Sequence, residues 1–235
     1  LWLGKINKDK LSPEDYVDYL FRYAYTQLQV KDYAKSKYLF SELIGKNTRY
    51  ENSANYYYAY TEYTQKHYDT ALEGFLKVQD NPEYEGFIPY YIVQIYYHQK
   101  RYEEVVPIAE DLIKKNPKNE NNTEIYRILG ECYYQKKDYQ KTIDYLTLYQ
   151  TSVKRVVRSD MYLLGISYFN VKKYDESVAF LTKVTTQKDE MSQNAYLHLG
   201  ISYLNLNQKE NARLSKQLKW ITIKVKKKKL CIIML

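Results

Sequence analysis

Residues 124–139 read Glu-Ile-Tyr-Arg-Ile-Leu-Gly-Glu-Cys-Tyr-Tyr-Gln-Lys-Lys-Asp-Tyr. Within this stretch Tyr126, Leu129, Gly130 and Tyr133 fall at i, i+3, i+4 and i+7, one face of a helix. The polar link Gln135-Lys136-Lys137-Asp138 is short, so the helix that follows must fold back antiparallel to the first. Beyond the link, Tyr139, Ile143, Leu146 and Leu148 keep a second helical stripe. Gly130 has no side chain where the two backbones approach, and a bulky residue there would force them apart.

The pattern recurs along the chain. Aligned on the residue after the link, the anchors are Tyr33, Tyr68, Tyr102, Tyr139 and Tyr174, with Lys209 in the sixth place, at spacings of 35, 34, 37, 35 and 35 residues. Nine positions before each anchor stands a small or compact residue: Ala24, Ala59, Val93, Gly130, Gly165 and Gly200. A period near 34 of this kind marks a stacked array of helical pairs, since no single pair can bury its apolar stripe alone.

Each unit resembles a tetratricopeptide repeat. The resemblance covers nearly all of residues 14–215 and rests on Tyr126, Leu129-Gly130, Tyr133, Tyr139, Thr142 and Leu146 in the fourth unit. Asn81-Pro82 and Asn116-Pro117 punctuate the helix ends of the second and third units. It implies an all-α, right-handed α-solenoid of antiparallel helix pairs, divided as the end of a preceding repeat (1–12), repeats at 13–50, 51–83, 84–120, 121–155 and 156–190, a partial repeat at 191–215 and an atypical tail at 216–235. The texture of motifs such as residues 68–75 and 194–200 is similar to the long tetratricopeptide arrays of Bacteroidota, which implies a periplasmic or cell-envelope location.

Composition agrees with a helical array. Seven Gly and five Pro in 235 residues leave few breakers, while 30 Tyr take core places usually given to Leu, Ile and Val. Tyr has an apolar body and a polar tip, which suits a thin solenoid whose core lies close to water. At the N-terminal end, Ser12 is placed as an N-cap and Pro13 at the first helical position, with Glu14 and Asp15 in the first turn. Residues 1–7 read as the last turns of a preceding helix in an excerpt of a longer array.

The pattern breaks after Ser215. Residues 216–235 hold seven Lys and no acid, so of 36 basic and 28 acidic residues the body keeps 29 against 28. The formal charge of +8 therefore describes a tail, and nucleic-acid binding argued from global charge is disfavoured. Two readings of the tail stay open, a basic membrane-surface or targeting segment and a shifted reading frame, and the abrupt loss of pattern favours the second. Its apolar run is shorter than the roughly 20 residues that span a bilayer. On the second reading it is not a selected functional element and is expected to dock poorly, leaving part of the sixth unit's apolar face uncovered.

Marks of catalysis are missing from the sequence. His67, His98 and His198 lie in three different units with no ligand-spaced partners, and His67 reads as a solvated turn residue. Glu103-Glu104 and Asp189-Glu190 each open a helix, where acids favour the positive end of its dipole. Cys132 reads as a small buried filler. No cofactor, metal or small-molecule substrate is implied.

What remains is surface. The resemblance implies that first helices line a concave groove, which places Phe21, Tyr25 and Leu28 there, then Tyr56, Tyr60 and Tyr63, then Tyr90, Gln94 and Tyr97. Arg127, Glu131 and Tyr134 follow, then Tyr162, Ile166 and Phe169. Such a groove is aromatic and lacks the Lys and Asn with which some relatives clamp a terminal carboxylate. It suits an extended peptide or partner helix on a non-catalytic scaffold. The alternative is a regulatory or substrate-presenting module of a larger enzyme or envelope assembly.

Overall fold

The computed structural model describes the backbone of residues 2–222 and the side chains of residues 3–216. Twelve α-helices and no strand occur among the described residues. The first helices of the repeats are α1 (Pro13–Gln29), α3 (Glu51–Thr64), α5 (Ile88–His98), α7 (Asn122–Gln135), α9 (Arg158–Asn170) and α11 (Glu190–Asn205). They alternate with the second helices α2 (Tyr33–Ser41), α4 (Tyr68–Val78), α6 (Tyr102–Lys115), α8 (Tyr139–Ser152), α10 (Tyr174–Val184) and α12 (Lys209–Thr222). Every anchor found in the sequence is the first residue of a second helix.

The intervening turn is the same six times. The residue two before each anchor, Lys31, Lys66, Lys100, Lys137, Lys172 or Asn207, has φ between 59° and 64°, in the left-handed region. The next amide reaches back five residues, as in Asp32 N to Gln27 O (2.9 Å), Asp138 N to Tyr133 O (2.9 Å) and Gln208 N to Tyr203 O (2.8 Å). This is the Schellman closure, which satisfies carbonyls at a helix end and normally places Gly at the left-handed position. Five of the six residues here are lysines, each carrying the crowding of a Cβ that Gly lacks. Lys137→Gly is therefore expected to stabilise the protein by about 0.5–1 kcal/mol, read as a higher midpoint of urea denaturation.

Helix pairs close on small residues. Ser36 Oγ donates to the Ala24 carbonyl across the first pair at 3.0 Å. A Cβ placed on Gly130 would lie 2.5 Å from Leu146 Cδ2, and one on Gly165 would lie 2.5 Å from Leu181 Cδ2. In the second pair the glycine sits on the other helix, where a Cβ placed on Gly74 would lie 2.7 Å from Ala59 Cβ. Among the described residues the sixth pair is open, with the nearest atoms 3.9 Å from a Cβ placed on Gly200. There Lys216, exposed, takes the place held by Phe40, Phe75, Ala109, Leu146 and Leu181 in the other repeats.

The chain divides into two compact units, Leu1–Ile108 and Ala109–Leu235. Within the first, α1 packs on α2, α2 on α3, α3 on α4 and α4 on α5, and α1 also touches α3. Its cores are built around Leu20, Ala24 and Phe40, and around Ala59, Phe75 and Ile88. Within the second, the order α7 to α12 repeats the scheme, with α7 touching α9 and α9 touching α11. First helices thus line one face and second helices the other in each unit, an all-α solenoid of stacked antiparallel pairs.

At the N-terminal end two short 3-10 turns, Trp2–Lys5 and Lys8–Lys10, stand where the sequence read as a helix end. Ser12 caps α1 as expected, its Oγ accepting from Asp15 N at 3.1 Å. At the other end α12 stays helical to Thr222, past the point where the repeat pattern breaks. The docking and role expected of the Lys-rich tail fall on side chains after Lys216 and on residues 223–235, outside the described residues.

Candidate interaction groove

In the first unit, the first helices α1, α3 and α5 bring a set of phenols together. An open cleft of about 350 Å³ is lined by Tyr25, Tyr33, Tyr56, Tyr57, Tyr60 and Tyr91, together with Leu28, Gln29, Lys31 and Thr64. No carboxylate lines it. Tyr25 lies edge-on to Tyr57 (5.2 Å, 71°), and one repeat further on Tyr60 lies edge-on to Tyr91 (6.0 Å, 74°). The hydroxyls of Tyr25, Tyr33 and Tyr60 make no hydrogen bond to any described residue.

Other groove candidates in this unit are committed to packing. Tyr56 is half-buried, stacks on Tyr84 at 5.0 Å and contacts Phe75 and Phe87. Burial, followed by the neighbouring Tyr91, pushes its hydroxyl well above the usual phenol value. Tyr63 donates to Gln94 Oε1 at 2.6 Å and meets the anchor Tyr68 at 6.1 Å. Tyr97 is half-buried beside the ring of His98. Tyr90 is only 4% exposed, because it sits on the inner face of α5 with Val93, and it offers no surface in this state.

In the second unit, Arg127 is held by its own helix. It forks onto Glu124 (2.6 Å) and approaches Glu131 (3.6 Å) one turn away, so its charge is spent locally. Tyr134 and Phe169 stand edge-on to the anchors Tyr139 and Tyr174, each at 6.0 Å. Burial, then the phenols of Tyr162 and Tyr139, pushes the Tyr134 hydroxyl up to about 12. Tyr162 is half-buried and its hydroxyl is likewise raised by burial. Ile166 is buried.

Tyr57, Tyr91 and Tyr33 line the cleft although the sequence did not single them out. The run Tyr56-Tyr57-Tyr58 puts a phenol on three successive faces of α3, so helical phase alone could not say which ring faces the groove. The signal that could have found them is the matched pair Tyr57 and Tyr91, one repeat apart in sequence.

Several polar groups sit where a core would be apolar. Glu62 is 3% exposed and is bridged by Lys37 (2.7 Å) from the preceding repeat and by His67 Nδ1 (2.6 Å). His67 is therefore a partner of a buried carboxylate and not simply a solvated turn residue. Asp160 is 2% exposed and stands in the column otherwise filled by Tyr19, Ala54, Ile88, Ile125 and Ala195. Burial raises its carboxyl above the usual range, and its Oδ2 has no hydrogen-bond partner. Cys132 is fully buried, and burial pushes its thiol up to about 12, in keeping with a packing role. Among the described residues no group of three or more His, Cys, Asp or Glu side chains could hold a metal ion, and no helix is long and apolar enough to cross a membrane.

The family model described as "Anaphase-promoting complex, cyclosome, subunit 3" matches residues 98–184. Among solved structures, MamA of AMB-1 superposes with a TM-score of 0.62 at 14% identity, covering 74% of this chain and 92% of that one. MamA of MSR-1 gives 0.59 at 14% identity, over 74% and 97%. A further MamA crystal structure gives 0.58 at 16% identity, over 80% and 100%. Comparison with curated protein sequences finds no match. Six registered helix pairs with one turn geometry, together with these neighbours, establish that the chain carries the tetratricopeptide-repeat fold.

Proposed function

We propose that the chain is a non-catalytic protein-interaction scaffold that engages peptide segments on the face formed by its first helices. The observation that carries this reading is the tyrosine-lined cleft of the first unit, in which the hydroxyls of Tyr25, Tyr33 and Tyr60 make no hydrogen bond to any described residue while the rings around them are fixed by packing. Rigid phenols offer large contact area at low entropic cost, with hydrogen-bonding tips for a backbone. Stacked pairs present such a surface continuously, which suits an extended partner. The supporting chemistry is equally local: among the described residues, the titratable groups with displaced pKa values are engaged in caps, ion pairs or packing.

Replacing both Tyr25 and Tyr60 with Ala is expected to weaken capture of cleft-binding sequences from an immobilised peptide library by at least ~10-fold, about 1.4 kcal/mol. The melting temperature should fall by only a few degrees. Phe75→Ala, which empties a fully buried site, serves as the control that lowers both. Equal thermal losses in the two variants, with no separate loss of binding, would assign the phenols to the core.

A further inference from the structure

Asp160 breaks the rule of its column. The equivalent positions in the other repeats hold Tyr19, Ala54, Ile88, Ile125 and Ala195, all buried and none charged. Asp160 is just as buried, yet its Oδ1 accepts only from Ser159 Oγ at 3.3 Å and its Oδ2 has no partner. A carboxylate in a packing position destabilises the fold where Ile or Ala would not, so its presence calls for a role outside folding.

The helix that faces it indicates that role. α9 touches α7. Burial raises the Asp160 carboxyl most, Arg127 of α7 opposes that, and Glu131 and Glu124 of the same helix reinforce it. Glu124, Arg127 and Glu131 share one side of α7 at i, i+3 and i+7. Arg127 holds Glu124 at 2.6 Å but stands 3.6 Å from Glu131, and the two glutamates are 47% and 27% exposed. The Arg127 guanidinium therefore stands among three carboxylates, two open to solvent and one buried.

Such a cluster is short of positive charge. A metal ion is not the complement, because among the described residues no group of three or more acids, His or Cys could hold one. The complement is a longer-reaching cation on a side chain, which can meet the two exposed glutamates by charge-assisted hydrogen bonds. A guanidinium suits this best, since its planar fork matches a carboxylate.

We infer that this face of α7 and α9 binds a basic residue of a partner peptide, with Arg127 passing from Glu124 to Asp160 as the incoming cation takes Glu124 and Glu131. The inference rests on the scaffold reading above and names the side chain that the second unit selects. Binding then satisfies the open Asp160 oxygen and pairs a buried charge that stands unpaired in the free protein.

The test is capture of random peptides of about ten residues by the whole chain, followed by titration of the strongest arginine-bearing binder and its citrulline counterpart, which keeps the shape and removes the charge. Captured sequences should be enriched in Arg and Lys. Unspecific steering by a chain of formal charge +8 would enrich acidic peptides instead. The arginine peptide should bind at least ~10-fold more tightly than the citrulline one. Glu124→Gln and Glu131→Gln should each cut that ratio by roughly three-fold. Asp160→Ile, which restores the residue type of its column, should raise the midpoint of urea denaturation and cut the ratio as well. A higher midpoint with the ratio unchanged would make Asp160 a packing fault and overturn the inference. Peptides captured without basic enrichment, and lost when Tyr25 and Tyr60 become Ala, would also overturn it while the scaffold reading stands. If no peptide is captured, both fail.

Discussion

Gly165→Leu is expected to cost about 3 kcal/mol of folding stability and to lower the melting temperature by roughly 6–12 °C. A Cβ at this position meets Leu181 Cδ2 at 2.5 Å, Cγ at 2.6 Å and the Leu181 backbone nitrogen at 3.3 Å. Leu181 is fully buried, so its side chain has nowhere to swing, and the backbone contact prevents the helices from absorbing the change by a rotamer shift alone. The comparison variant is Gly200→Ala, where the nearest atoms lie 3.9 Å away. There the gain in helix propensity is unopposed, and a stabilisation of about 0.5–1 kcal/mol is expected. Thermal unfolding of the pair checks both signs. A Gly165→Leu protein with an unchanged melting temperature would mean that the close approach of α9 and α10 is absent in solution.

Arg158→Ala is expected to cost about 2–3 kcal/mol, because one guanidinium closes the junction between the fifth and sixth repeats. Its Nε donates to the Val184 carbonyl at 2.7 Å, at the end of α10. Its two terminal nitrogens fork onto Asp189, the N-cap of α11, at 2.5 and 2.7 Å, and one also reaches Ser192 Oγ at 2.7 Å. Arg158→Lys should recover only part of the loss, since an ammonium cannot present the planar fork. The pH dependence follows from Asp189, whose carboxyl is held well below the usual range by the Arg158 guanidinium first and the Ser192 amide second. A depressed carboxyl contributes stability that is complete above the ordinary Asp value, about 3.9, and is lost as pH falls through that value toward the depressed one. Denaturant midpoints measured between about pH 5 and pH 2 should therefore fall more steeply in the parent than in Arg158→Ala. Asp189 is 39% exposed, so added salt should trim the difference.

The architecture was legible because the repeat pattern samples the same packing contact six times. Tyr33, Tyr68, Tyr102, Tyr139, Tyr174 and Lys209 each mark a helix start, and a small residue nine positions earlier marks a close approach in most pairs. The exceptions are informative. Gly200 looks like Gly165 in sequence, yet Lys216 replaces the bulky residue that would press on it, so the same glycine has a different role. Gly74 carries the approach for its pair from the second helix, a swap invisible to a rule built on first helices. The left-handed lysines were hidden because Lys has no preference for that conformation, and only the Schellman hydrogen bonds impose it.

Of the residues that the resemblance implied for a groove, Tyr25, Tyr56 and Tyr60 line the cleft of the first unit, while Tyr33, Tyr57 and Tyr91 join them unannounced. Tyr25 and Tyr60 were implied by the repeat resemblance, and Tyr25 is 39% exposed. Tyr56 and Tyr90 were implied in the same way, but Tyr90 is buried on the inner face of α5, while Tyr56 is half-buried at the cleft wall with its ring packed on Tyr84, Phe75 and Phe87. Asp160 and Glu62 were not singled out, because a single carboxylate in a polar-looking helix start or end gives no sign that its surroundings are dry.

The recurrent turn has a kinetic consequence. Each hairpin is closed by its own five-residue hydrogen bond, and the pressed residues Gly165 and Leu181 stand only 16 positions apart in sequence. Contacts of such short range carry a small loop-closure penalty, so chain collapse can begin at whichever hairpin forms first and spread to its neighbours. The sixth hairpin shares the turn but not the pressed contact at Gly200. It is expected to form last and open first, so hydrogen exchange should find the most labile amide protons of the second unit in α11 and α12.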